Sequence, residues 1–138
     1  MATITTNQPI TAREPRGRIS VPVGTGLKIP QGTLVFAIAA TGYATNAIAA
    51  GANHFLGVAV SEADNTAGAD GAINVEVYTQ GIFQLVAVSG LLAWVGDKIY
   101  AIDNGAVDAT ATSQTLVGHC VEYVSATKIG VQIKAGVA

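Results

Sequence analysis

His119 and Cys120 are adjacent, and a thiol beside an imidazole suggests nucleophilic catalysis with the histidine as base. Both fall in residues 116–121, an apolar run of strand length, where neighbouring side chains point to opposite faces. They cannot form a dyad with each other. Cys120 is expected in the core and His119 on the other face, at the surface or an interface. His54 stands just ahead of a similar run, residues 55–60, and adds a second imidazole. A small hydrolase would need His54, His119 or Asp97 to share a pocket, and their places at turns and strand ends do not suggest one. Glu62, Asp64, Asn65 and Asp70 could offer oxygen ligands to calcium, but their spacing departs from the EF-hand loop, and solvated turn formers are expected. Zinc-protease, paired-cysteine, nucleophile-elbow and Walker spacings are all missing. Gly24 and Gly26 have no helix after them to complete a phosphate cradle. The chain is therefore expected to be no enzyme and to need no cofactor or metal.

Charge is the next chemically informative feature. Only 12% of the 138 residues are charged, against about 25% in an ordinary soluble domain. Such a surface is poorly solvated unless copies of the chain or a partner cover it. Residues 1–18 hold Arg13, Arg16 and Arg18 against Glu14, a balance of +2, while the remainder holds four lysines against eight carboxylates. Arginine suits planar, bidentate pairing at interfaces. Three arginines without a basic aromatic stripe are too few for nucleic acid, so docking on an acidic protein surface is the expectation. Arg13, Glu14, Arg16 and Arg18 are thus the candidate contact residues of the arm.

Residues 1–20 read as an extended arm, because Pro9, Pro15 and Gly17 forbid a continuous helix. No basic n-region or apolar h-region opens the chain, so no secretory leader is expected. Residues 29–61 lack charge but are broken by Gly32, Gly42, Asn46 and Gly51, and their longest apolar run is too short to cross a membrane. A single cysteine allows no intrachain disulfide, which is compatible with the cytoplasm.

The body, residues 21–138, carries one pattern twice. Gly32-Thr-Leu-Val-Phe-Ala-Ile38, residues 55–60 and Ile73-Asn-Val-Glu-Val77 are answered by Gly96-Asp-Lys-Ile-Tyr-Ala-Ile102, residues 116–121 and Ile129-Gly-Val-Gln-Ile133. Gly57 and Gly118 fall at matching points, where close backbone approach is expected. The repeats run from about 30 to 82 and from 94 to 138, with Gly136 closing the second. Residues 34–39 suit a strand buried on both faces. Residues 47–52 allow a helical turn, and Asn104-Gly105 predicts a type I′ hairpin. Short strands at 8–12 residue intervals give an all-β fold, a small sandwich or barrel with internal duplication and an extended N-terminal arm. One such domain buries roughly 68% of its unfolded surface.

Tyr43, Tyr78, Tyr100, Tyr123 and Trp94 could line a sugar-binding face, but such rings also dominate protein contacts. Trp94, Tyr78 and Phe83 are the candidates for a subunit interface.

Residues 25–135 resemble the capsid cement, or head decoration, proteins of tailed bacteriophages. The likeness lies in Gly96-Asp-Lys-Ile-Tyr-Ala-Ile-Asp-Asn-Gly105, residues 116–121, residues 129–134 and the strand–glycine–aromatic segment Val75-Glu-Val-Tyr-Thr-Gln-Gly-Ile-Phe83. The resemblance implies a homotrimer on the outer surface of the virion, formed in the host cytoplasm, that clamps major capsid protein subunits. It implies no catalytic residues, no direct nucleic-acid contact and no membrane. A carbohydrate- or host-surface-binding β-module on a virion is the alternative.

Overall fold

The computed structural model describes residues 3–133, and Lys134 and Gly136 of the second copy lie outside them. Thirteen strands run in chain order: β1 (Ala12–Arg16), β2 (Ile19–Pro22), β3 (Lys28–Ile29), β4 (Leu34–Ala37), β5 (Ala44–Thr45), β6 (His54–Ala59), β7 (Ala63–Asp64), β8 (Asn74–Tyr78), β9 (Gln80–Ala87), β10 (Lys98–Ala101), β11 (Ala106–Asp108), β12 (Thr115–Ser125) and β13 (Lys128–Ile133). Two 3-10 turns, Ala49–Gly51 and Leu92–Trp94, are the helical elements among the described residues. The fold is all-β.

The last five strands close on themselves. β9 pairs with β11, then β10, β12 and β13 follow, and β13 returns to β9. Only the β9–β11 contact is parallel. The same scheme recurs in the first half: β2, β8, β6, β4 and β5 are neighbours in that order, and Val23, just beyond β2, makes a parallel bridge to Ala44 of β5.

The registers agree residue by residue. Val35 faces Gly57 as Ile99 faces Gly118, and each pairing is followed by a bulge. Phe36 then faces Phe55 as Tyr100 faces Leu116. The Val23 N–H donates to Ile73 O at 3.0 Å, and the Ala87 N–H donates to Thr127 O at 3.0 Å. The Gly24 N–H reaches Ala44 O and the Val88 N–H reaches Val107 O in the same way. Pro22 explains the one shortfall. It stands where β9 has Val86, and without an N–H it leaves a single bridge where β9 and β11 make two pairings.

Two apolar cores follow from this arrangement. Val23, Val35, Ala44, Ala59, Val75 and Val77 fill the first strand set. Ile99, Ala101, Val107, Val117, Cys120, Ile129 and Val131 belong to the second, which also takes in Leu34, Phe36, Phe55 and Val58 from the first. β4 is therefore buried on both faces: Val35 points into its own set while Leu34 and Phe36 point to the other. The Phe36 and Phe55 rings meet at 6.0 Å and 58°, a tilted contact of the kind aromatic quadrupoles favour.

One local expectation is corrected. β10 and β11 form the hairpin expected around Asn104-Gly105, but neither residue has the positive φ that a type I′ turn requires. Instead Asp103 Oδ1 accepts the N–H groups of Gly105 and Ala106, and Asn104 is fully buried. Its side chain bonds both backbone groups of Ile4, and its carbonyl accepts the Leu34 N–H at 2.8 Å. A buried amide satisfied on every side is a tertiary junction, which outweighs the local turn preference. β11 ends at Asp108, whose carboxylate accepts the Thr110 N–H and turns the chain.

Candidate functional site

Among the described residues the two histidines are held apart, Asp97 lies beside Cys120 through its backbone carbonyl, and the loop carboxylates are engaged. Cys120 is fully buried, and burial raises its thiol pKa. His119 lies between Lys98 and Gln132, whereas His54 lies opposite Ala37 at the other end of the matching strand pair. The two histidines thus hold different places in the two strand sets. In the acidic loop, Asn65 is buried and donates to the carbonyls of Val23, Gly24 and Ala69. Asp64 accepts from both the hydroxyl and the N–H of Thr66, which lowers its pKa, and Asp70 accepts the Thr25 N–H. Glu62 pairs with Lys28 at 3.5 Å. These oxygens organise turns. Among the described residues no three His, Cys, Asp or Glu side chains are grouped as metal ligands.

The N-terminal segment is laid against the body over part of its length. Ala12 and Arg13 of β1 pair with Phe83 and Ile82 of β9, and the register shifts before Arg16 meets Gln80. Arg13 pairs with Glu122 at 2.7 Å, and Arg18 pairs with Glu76. Arg16 stands 3.7 Å from Glu14. The acidic surface that Arg13 and Arg18 meet in the free chain is therefore its own. All of these groups are exposed, so their ion pairs are screened and exchangeable.

The aromatic candidates separate. Phe83 is 2% exposed and belongs to the core of its own chain. Its place on β9 puts the ring inward, 6.0 Å from that of Tyr78. Tyr78 and Trp94 are half-buried and pack against the same core.

A larger apolar surface surrounds Trp94. Leu91, Leu92 and Val95 are exposed, Leu92 by 68%. Their loop runs beside the outer half of β12, with the Gly90 N–H on Ala126 O at 2.7 Å and the Gly96 N–H on Cys120 O at 2.7 Å. There β12 shows Val121, Tyr123 and Val124 to solvent. The pairing of β12 with β13 skips one residue after Cys120 and another after Tyr123. Val121 and Val124 are the extra residues, and a bulge aims such a side chain away from the regular alternation. Sequence periodicity misses this band because it depends on where the register slips. The signal present was the run Leu91-Leu92-Ala93-Trp94-Val95 between two glycines.

No curated protein and no solved structure matches the chain. The family model described as phage cement protein matches residues 14–135, nearly the whole of the described body. With two strand sets of one design, an uncovered apolar band and this match over most of its length, the chain belongs to the phage cement proteins, structural components of the virion.

Proposed function

We propose that this protein binds the outer surface of an assembled phage capsid as a homotrimer and stabilises contacts between major capsid protein subunits. The observation that carries the reading is the apolar band formed by Leu91, Leu92, Val95, Val121, Tyr123 and Val124 around Trp94. A chain with so few charges and so contiguous an apolar surface is stabilised when copies bury that band against one another. Trp94, between Leu92 and Val95 in sequence, packs against the core.

The mechanism is multivalent. A trimer presents three equivalent sets of weak contacts, and after the first docks, the others dock as intramolecular events. Avidity rises by about 10²–10⁴ without any single strong contact. Because the trimer binds the assembled lattice and not free capsid subunits, its binding free energy adds to lattice stability. Arg13, Arg16 and Arg18 contribute by exchanging their exposed intrachain carboxylates for carboxylates of the capsid. The trimer assembles in the host cytoplasm and resides on the virion surface.

Light scattering tests the association. The wild-type protein is expected at three times the 13.9 kDa chain mass. Substituting both Leu91 and Leu92 by Asp is expected to give a folded single chain. A wild-type monomer, or a doubly substituted protein that remains trimeric, would refute this interface.

A further inference from the structure

Every pairing of the closed five-strand set has a counterpart in the first half, but β1 has none. β11 covers one side of β9 only at Val86 and Ala87. The rest of that side, around Ile82 and Phe83, is covered by β1, and the Gln84 N–H donates to Thr11 O at 2.9 Å. In the first strand set β2 takes the place of β9. The register that equates Val23 with Ala87 equates Ser20 with Gln84, Ile19 with Phe83 and Arg18 with Ile82.

β2 pairs with β8 on one side only. Alternation along that ladder turns the Ser20 N–H and C=O and the Arg18 C=O to the other side. Among the described residues nothing pairs with them there, and Ile19 is 43% exposed. The chain has two equivalent strand edges and one strand, β1, to cover them.

The occupant of the second edge comes from elsewhere. Copies of this chain bring one β1 each and two such edges each, so their arms cannot fill both. Pairing β2 of one copy with β2 of another is opposed by Pro22, which lacks the N–H such a ladder would use. A strand placed as β1 is placed on β9 uses the Ser20 N–H and the backbone groups of Arg18, and asks nothing of Pro22. We propose that the outer edge of β2 accepts an extended segment of the major capsid protein as an added antiparallel strand, a proposal that rests on the capsid-binding reading above. The segment carries a small or apolar residue across from Ile19, as Ala12 lies across from Phe83. A carboxylate on it suits Arg18, whose guanidinium is exposed and whose pair with Glu76 is exchangeable.

Ser20→Pro tests this directly. It removes the outward N–H and places a ring on the edge, while Ile19 is already extended, as a residue before proline must be. Ser20→Ala is the control, because it loses the same Asn74 hydrogen bond and keeps the N–H. Both variants are expected to keep the wild-type molar mass and urea midpoint. On expanded shells stripped of this protein, Ser20→Ala should bind as wild type and Ser20→Pro at least tenfold more weakly. Equal binding by Ser20→Pro overturns the proposal, as does a change in its oligomeric state, which would place the edge between copies. Amide exchange of the unaltered protein gives a readout independent of the variant's folding: the Ser20 N–H should exchange at least tenfold more slowly on shells, and unchanged exchange overturns the proposal. Failure of the wild type itself to bind shells would instead refute the capsid-binding reading.

Discussion

Gly57 and Gly118 occupy one position in the two strand sets, and both are glycine for the same reason. A Cβ at Gly57 would collide with Tyr78 O, and one at Gly118 would collide with Gln132 O. Tyr78 and Gln132 are themselves equivalent, since Val58 pairs with the first as His119 pairs with the second. Gly57→Ala and Gly118→Ala should therefore each destabilise by about 1–3 kcal/mol, the usual range for forcing an atom into a packed site. Urea unfolding at unchanged slope checks this, and two midpoints at the wild-type value would show that the backbone yields freely. The close approach is legible in the sequence because a glycine recurs at the same point of two similar runs. The burial of Phe83 is less legible, since a ring on a strand can face either way and only register decides.

At the scale of elements, residues 3–20 divide between covering the body and facing solvent. β1 protects an edge of β9 that would otherwise offer unpaired backbone groups, a recognised hazard for exposed strands. The arginines around it are held by surface ion pairs that contribute little to folding. Substituting Arg13, Arg16 and Arg18 together by Ala should leave the urea midpoint nearly unchanged and weaken shell binding. The residual binding should also depend less on salt, because fewer charge contacts remain to be screened. Unchanged salt dependence would count against the arginines as capsid contacts. The duplicated strands were readable from alternation and glycine spacing in β4, β6 and β8 and in β10, β12 and β13. Their partners β5 and β11 were not, being two and three residues long. β2 and β9 differ too much in length and composition to align by eye, and hydrogen bonds reveal their equivalence. The two bulges of β12 have no sequence signature and are the reason the apolar band escapes a sequence reading.

At the scale of the molecule, two strand sets of one design share a hydrophobic seam formed by Leu34, Phe36, Phe55 and Val58 against the second set. Among the described residues the result is a body with few charged groups, an arm strand, an uncovered edge on β2 and an apolar band. Features of this kind suit contact with another protein, in keeping with the structural role of the cement family. Co-sedimentation of the purified protein with expanded shells, beside disassembled capsid subunits, tests this most directly. Saturable binding to shells in multiples of three, with none to free subunits and a higher shell melting temperature, is the predicted result. A protein that stays in the supernatant, or that binds free subunits as tightly as shells, would contradict it.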